Sequence, residues 1–142
     1  MLDRAAIQAL IPHHGAMCLL DSVAGWSERE IDCRSASHLD PANPLRRDGR
    51  LHAVCGVEYG LQAAALHGAL RGGCAPQPPG YVAALRGLIF RIERLDDPGH
   101  GVLTVAARME HADPSGIIYG FQLFSSARLC LLEGRGIVVF RA

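Results

Sequence analysis

Glu58 is the only carboxylate in a long apolar stretch, and it has the clearest capacity for acid–base chemistry. The stretch runs from Arg50 to Arg71 with the sequence RLHAVCGVEYGLQAAALHGALR. A carboxylate on a helix that the rest of the chain buries is unfavourable unless it is paired, solvated or used in chemistry. Gln62 follows one helical turn later on the same face. The pattern favours a general acid at Glu58; the alternative is a structural carboxylate that meets an arginine or the solvent.

His52 is the histidine nearest to Glu58 in the sequence and therefore the first candidate for a general base. The two are six residues apart, which on one helix would turn their side chains about 120° apart and separate them by about 9 Å along the axis. They could meet if His52 lies in an irregular first turn, or if it faces Glu58 of a second subunit. The alternative is a structural histidine near a helix N-terminus, bonded to a loop carbonyl.

Three other histidines near these motifs are predicted to be structural. His13 and His14 follow Pro12 at the end of a first predicted helix, where loop packing and hydrogen bonds to the backbone account for them. His67 is nine positions after Glu58, which places it on the opposite side of the helix.

No metal and no cofactor are predicted. His52, Cys55 and Glu58 follow one another at intervals of three, which supplies at most two metal ligands from one helix face, and the sequence offers no second pair. Cys55 is more simply a small buried apolar residue. The chain contains no lysine, which excludes a Schiff-base lysine, a P-loop lysine and a Ser-Lys dyad.

Length and composition indicate one soluble domain over residues 1–142. Fourteen arginines balance fourteen acidic residues, so neither nucleic-acid binding nor a general affinity for membrane surfaces is expected. The five cysteines never form a CxxC pair, as in proteins of a reducing cytoplasm. The N-terminus lacks a signal-peptide pattern, and no segment reaches the roughly 20 apolar residues of a membrane span. We therefore expect a cytoplasmic protein.

The elements around Glu58 combine one helix with many strands. Each of Gly56, Gly60 and Gly68 in the Arg50–Arg71 helix lowers helix stability by up to about 1 kcal/mol relative to alanine, so packing must hold this helix. Their small size lets another backbone come close. Before this helix we expect a short first helix at Leu2–Leu10 and a long strand at Ser22–His38.

After Gly80 the hydrophobic period is two up to the C-terminus. Short turns between these segments predict a meander of four antiparallel strands. The predicted architecture is α+β, with one long helix across a single curved antiparallel sheet of about five strands.

Three sequence patches resemble the β-hydroxyacyl-(acyl carrier protein) dehydratases, which have the hot-dog fold. Ile11–Val23, IPHHGAMCLLDSV, resembles their LPHRxPxLLxD opening, and Asn43–Gly49 is similar to their NPFFxGH loop. Glu58 and Gln62 match the ExxxQ of their central helix. With Gly56, these residues resemble most the GxExxxQ of the shorter dehydratase-like proteins of aryl-polyene and related pigment pathways.

The resemblance implies dehydration of 3-hydroxyacyl thioesters to trans-2-enoyl thioesters by a dimer that uses no metal or cofactor. Glu58 would be the acid and Gln62 would lie at the substrate. The family's GHF segment, which holds its catalytic histidine, is absent here, so His52 is the nearest candidate for the base. Ala53 lies near the glycine whose backbone N–H polarises the thioester carbonyl in the family.

The partners implied are an acyl carrier protein with a phosphopantetheine-linked acyl group and a second hot-dog subunit. Arg46 and Arg47 crowd the loop before the helix, and a basic rim there would attract an acidic carrier protein. The alternative for these arginines is a solvated loop. We expect a homodimer; a mixed hot-dog dimer is the alternative.

Two other functions fit the same fold. One is an acyl thioesterase, in which a carboxylate activates water at the carbonyl; the other is a non-catalytic subunit of a mixed dimer. The criterion that separates an enzyme from a binding subunit is a histidine nitrogen within about 5 Å of the Glu58 carboxylate.

Overall fold

The stretch that carries Glu58 forms one long helix, but the α-helix begins later than its spacing predicts. In the computed structural model, which describes residues 2–13, 15–73 and 80–140, a 3-10 turn spans Ala53–Cys55 and helix α2 spans Gly56–Arg71. His52 precedes both with an extended backbone, φ −67° and ψ 153°. Residues 50–52 are therefore not part of the helix.

Helix α2 lies very close to the sheet at Gly56, its first residue, and at Gly60. A Cβ atom on Gly56 would stand 2.5 Å from Cδ2 of Leu132, and one on Gly60 would stand 2.5 Å from Cγ of Phe121. Contacts this short do not occur between real side chains, so these positions accept only glycine without rearrangement. The prediction that small residues allow a close approach is confirmed there.

In the part of the chain that the structure describes, the sheet has seven antiparallel strands, where the sequence predicts about five. They are β1 (Leu2–Asp3), β2 (Ser22–Trp26), β3 (Glu30–Ser35), β4 (Gly80–Phe90), β5 (Leu103–Asp113), β6 (Gly116–Phe124) and β7 (Cys130–Phe140). Their order is β1-β2-β3-β5-β6-β7-β4. Helix α2 packs mainly on β3, β5 and β6, which confirms the α+β arrangement of one long helix on one antiparallel sheet.

The predicted strand at Ser22–His38 is wrong in its length. It divides into β2 and β3, which form a hairpin around residues 27–29. The turn is closed by a hydrogen bond of 2.8 Å from the Ser27 N–H to the Glu30 carbonyl oxygen. The turn is made by the polar residues 27–30, Ser-Glu-Arg-Glu, which include no glycine or proline, so no local turn signal marked the break between the two strands.

The predicted four-strand meander is also wrong in one connection. β5, β6 and β7 are consecutive neighbours, but β4 pairs with β7 and lies at the edge of the sheet. Residues 91–102 contain no long strand and carry the chain across the sheet to β5, which pairs with β3. This connection is a crossover, whereas a short polar turn in the sequence favours a hairpin.

The N-terminal helix is shorter than predicted. Helix α1 spans Arg4–Leu10, and Leu2–Asp3 belongs to β1 instead. Asp3 is its N-cap, as expected, because its carboxylate accepts a hydrogen bond of 2.9 Å from the Ala6 N–H. Among the described residues, neither helix has the length and apolar character that a membrane crossing requires.

Candidate active site

The side chains of His13 and Glu58 meet at the beginning of α2. Nε2 of His13 lies 3.3 Å from Oε1 of Glu58, and the two side chains are 28% and 36% exposed. His13 stands in the loop after α1, and Glu58 lies in the first turn of α2. Nδ1 of His13 is enclosed and has no hydrogen-bond partner among the described residues. The pair can therefore exchange protons with each other and still reach a substrate from the surface.

Loop packing was predicted for His13 and His14, and this prediction is wrong for His13, whose side chain contacts Glu58; His14 lies outside the described residues. The contact of His13 with Glu58 joins two segments that are far apart in the chain, so helical spacing around Glu58 could not reveal it. The available signal was the Pro12-His13 pair in the opening motif, which stands in the same patch as the Met17–Leu19 segment that α2 contacts. In the structure, the opening motif and the central helix come together.

Among the described residues, His52 forms no ion pair and no hydrogen bond with Glu58 of the same chain. It is exposed, and its backbone forms an isolated bridge with Arg94. Ala53 is buried, and its N–H donates to the Glu93 carbonyl oxygen at 3.0 Å. The roles of His52 as a base and of Ala53 as a donor to the thioester carbonyl stay predictions, since each needs an arrangement that one chain alone does not contain.

Gln62 is fully buried and directed at the loop after His13. Its Oε1 accepts from the Leu19 N–H at 2.9 Å, and its Nε2 donates to the Met17 carbonyl oxygen at 2.7 Å. An unpaired amide at this depth would be unfavourable, and these two bonds satisfy it. The predicted contact of Gln62 with substrate remains a prediction.

Arg46 and Arg47 have different surroundings, although both were predicted for the basic rim. Nη1 of Arg46 pairs with Oδ2 of Asp96 at 3.3 Å, and the Arg46 side chain is only 16% exposed. Arg46 also donates to three carbonyl oxygens, those of His38, Asp40 and Gly49. Arg47 is exposed and donates to the carbonyl oxygens of Pro44 and Arg46. Arg46 therefore holds the loop together, and Arg47 offers its charge to the solvent.

A buried polar network connects α2 to the same loop region. The Tyr59 hydroxyl lies 2.7 Å from Oγ of Ser37, and the Ser37 hydroxyl donates to the Leu19 carbonyl oxygen at 2.7 Å. Nδ2 of Asn43 donates to the Tyr59 oxygen at 3.1 Å. Burial raises the pKa of Tyr59 to about 12, so its hydroxyl stays protonated and the network is uncharged.

His67 stands on the other side of α2, as its spacing predicts. Its Nδ1 lies 2.7 Å from the Tyr119 hydroxyl, and its Nε2 lies 2.8 Å from the Ser27 carbonyl oxygen. Burial lowers the pKa of His67. The His67 ring is buried and both of its nitrogens have hydrogen-bond partners, which agrees with the structural role that was predicted.

Solved structures with similar coordinates show the fold. The chain is similar to the dehydratase heterocomplex ApeI:P from Xenorhabdus doucetiae, with 16% identity over 96% of this chain and 91% of that chain and a TM-score of 0.79. A mutant thioesterase from Pseudomonas aeruginosa has 13% identity over 98% and 94% of the two chains, with a TM-score of 0.69. The E. coli PaaI protein from the phenylacetic acid degradation operon has 14% identity over 83% and 81%, with a TM-score of 0.61. The hot-dog fold is thereby confirmed.

A family model covers most of the chain. No curated protein matches the chain. The model of the ApeP-like family, described as ApeP dehydratase, matches residues 5–136. This match includes the three patches that carried the resemblance to dehydratases, which is confirmed at the level of the family. The chain belongs to the ApeP-like family.

Proposed function

We propose that the protein removes water from 3-hydroxyacyl thioesters and forms trans-2-enoyl thioesters. The proposed substrate is carried on an acyl carrier protein, in fatty-acid-like or aryl-polyene pigment synthesis. The observation that carries the proposal is the contact of 3.3 Å between His13 and Glu58. Membership in a family described as ApeP dehydratase supports the reaction class.

The proposed reaction assigns one step to each member of the pair. Elimination needs a base for the proton on C2 and an acid for the hydroxyl on C3. Nε2 of His13 takes the C2 proton, the electrons of that bond form the C2–C3 double bond, and the C3–O bond breaks. Protonated Glu58 gives its proton to the departing hydroxyl, which leaves as water. The short distance between the two groups suits work on adjacent carbons.

The same contact can return the pair to its starting state. After elimination, His13 is protonated and Glu58 is ionised, and the Nε2 proton faces Oε1 across 3.3 Å. Transfer of this proton regenerates the neutral imidazole and the protonated carboxyl. The cycle then needs no external acid or base.

His52 is the rival base. It is exposed next to the first turn of α2, and it could reach the Glu58 of a second subunit. This arrangement requires a dimer that brings the N-terminal ends of two α2 helices together. The His13 arrangement is present within one chain, and we favour it for that reason.

A second subunit and a carrier protein complete the proposal. Strand β4 is an edge strand, and nearly all of its side chains are exposed, which suits pairing with a second copy. Arg47 and Arg50 are both exposed. In the part of the chain that the structure describes, Arg47 pairs with no carboxylate. These charges would attract an acidic carrier protein.

The test is turnover of a 3-hydroxyacyl thioester loaded on an acyl carrier protein, followed by the absorbance of the enoyl product. We expect Glu58→Gln and His13→Asn each to lower the rate at least about 100-fold with the fold intact, since each removes an acid or base. Glu28→Gln is the matched control, because the Glu28 side chain is 79% exposed. Normal turnover by Glu58→Gln would contradict the assignment.

His52→Asn decides between the two bases. We expect it to keep most of the activity. A loss as large as that of Glu58→Gln, with His13→Asn active, would instead assign the base to His52 and place the site between two subunits.

The same assay separates the two alternative functions. A thioesterase would hydrolyse a saturated acyl thioester and leave the 3-hydroxyacyl thioester without an enoyl product. A non-catalytic subunit would consume neither substrate alone and would gain activity only when mixed with a second hot-dog chain. The several thioesterases with this fold are the reason to include the saturated substrate.

A further inference from the structure

Gln62 binds the backbone of residues 15–19, the segment that follows His13 in the chain. Its amide has two polar atoms, and both are used on this segment, at the Met17 carbonyl and at the Leu19 N–H. The side chain has no exposed surface. A residue with both polar atoms committed in this way has little left to offer a substrate.

Other side chains hold the same segment, but they come from elsewhere in the fold. Nη2 of Arg4 donates to the Gly15 carbonyl oxygen at 2.9 Å. The hydroxyls of Ser35 and Ser37 donate to the Leu19 carbonyl oxygen at 2.5 Å and 2.7 Å. Of these contacts, only the one from Gln62 originates on the helix that carries Glu58. Gln62 therefore fixes the distance between the segment and the Glu58 carboxylate.

We infer that Gln62 is a positioning residue that holds Nε2 of His13 against Glu58, and that it does not bind substrate. Glu58 and Gln62 stand one turn apart, about 6 Å along the helix axis. One face of α2 thus contacts both the His13 side chain and the backbone at Met17 and Leu19. Loss of this anchor lets His13 move away from Glu58. A displacement of about 1 Å can lower a rate about 100-fold, so turnover falls. The effect on turnover rests on the proposed function.

The first readout is structural and does not need activity. The ¹⁵N chemical shift of His13 Nε2 reports whether the Glu58 carboxylate is close. In the otherwise unchanged protein, Glu58→Gln shifts this signal. In the Gln62→Met background, where the side chain keeps its length but loses both hydrogen bonds, the same Glu58→Gln change moves it at least about threefold less. Gln122→Met is the matched control, since Gln122 is exposed on β6, and it leaves the response unchanged.

The second readout is the division between kcat and KM with a 3-hydroxyacyl thioester. Gln62→Met lowers kcat at least about tenfold and changes KM less than about twofold, as expected for a lost geometry. A higher KM with unchanged kcat, or an unchanged response of His13 to Glu58→Gln, overturns the inference. Where Gln62→Met fails to fold, Gln62→Glu replaces it, because its carboxylate keeps an acceptor for the Leu19 N–H, whereas it lacks the donor to Met17 and repels that carbonyl oxygen when ionised.

The two readouts separate failure of this inference from failure of the proposed function. A protein that eliminates no water contradicts the proposed function, and the chemical-shift response of His13 then decides the positioning role alone. A protein that eliminates water while Gln62→Met behaves like Gln122→Met contradicts only the positioning role.

Discussion

Nδ1 of His67 and the hydroxyl of Tyr119 lie 2.7 Å apart in the core. The second ring nitrogen of His67 lies 2.8 Å from the Ser27 carbonyl oxygen. A neutral imidazole satisfies both contacts when Nε2 donates to Ser27 and Nδ1 accepts from Tyr119. A protonated ring carries a hydrogen on each nitrogen and loses the acceptor for the Tyr119 hydroxyl. The core therefore selects the neutral form.

This selection predicts that stability falls on mild acidification. Burial lowers the pKa of His67 and of His38 below their ordinary value of 6.5. Below pH 6.5 the unfolded chain binds protons that the folded chain does not bind. The contribution of the two histidines to the free energy of unfolding is therefore complete above that pH and decreases as the pH falls toward the lowered folded pKa values. The decrease is up to about 1.4 kcal/mol per pH unit for each histidine. Urea midpoints between pH 7.5 and pH 5.5, roughly the range in which histidine titrates, measure it.

The control for this prediction is an exposed residue that does not titrate. His67→Gln removes one of the two titrating groups and should make the midpoint less dependent on pH. Gln122→Met, at an exposed position of β6, should leave the dependence as it is. Equal pH dependence in all three proteins would show that His67 binds a proton as easily when folded as when unfolded.

Asp96 predicts a second loss of stability, at lower pH and in another part of the fold. Arg94 donates two hydrogen bonds to its carboxylate, at 2.7 Å and 3.1 Å, and Arg46 adds a contact of 3.3 Å. The Arg94 hydrogen bonds hold the pKa of Asp96 far below its ordinary range. The stability that Asp96 contributes is therefore complete above its ordinary pKa of 3.8 and is lost as the pH falls below it.

Substitution tests this buried carboxylate directly. The Asp96 side chain is 3% exposed, and Asp96→Asn would leave Arg46 without its charge partner. We expect a loss of roughly 2–4 kcal/mol in the free energy of unfolding. The adjacent Asp97→Asn is the control, because Asp97 is exposed and caps the Gly99 N–H, a role that asparagine also fills. Similar losses in both variants would contradict the assigned role of Asp96.

Substitution of alanine for two different glycines of α2 should have opposite effects on the free energy of unfolding. Gly60→Ala would drive a methyl group into the Phe121 ring and should lower the free energy of unfolding by roughly 1–3 kcal/mol. Nothing lies within 4 Å of a Cβ atom on Gly68, so Gly68→Ala should raise it by up to about 1 kcal/mol through helix propensity. Thermal unfolding of both variants measures the difference. A stabilising Gly60→Ala would show that the helix can move away from the sheet.

Local patterns predicted the elements, whereas long-range contacts decided where the elements lie. The apolar stretch around Glu58 and the period of two after Gly80 are local signals, and the helix and strands that they predict are present. The pairing of β4 with β7 depends on which edge of the sheet is available to the strand. The residue spacing within β4 does not carry that information. His13 was passed over for the same reason, since its contact with Glu58 exists only after the opening loop packs on α2. Gln62 was singled out by its position, but its buried contacts with Met17 and Leu19 required the structure.

Strand β4 predicts that the protein is a dimer. It is the last strand at one edge of the sheet and is long for an exposed edge. Its large apolar side chains are between 36% and 49% exposed, and they are Tyr81, Val82, Leu85, Leu88, Ile89 and Phe90. An apolar edge of this kind is a template for association, and pairing with a second copy would cover it.

Sedimentation of the purified chain at micromolar concentration tests this prediction. We expect twice the chain mass of 15.2 kDa, and we expect Leu85→Arg to sediment as a folded monomer, because its new charge would be buried in the interface while the monomer leaves it in water. Leu129→Arg is the matched control: Leu129 is 66% exposed but lies outside β4, so this variant should remain dimeric. A monomeric unmodified chain would contradict the homodimer and favour the mixed dimer, whereas a dimeric Leu85→Arg would place the interface on another surface.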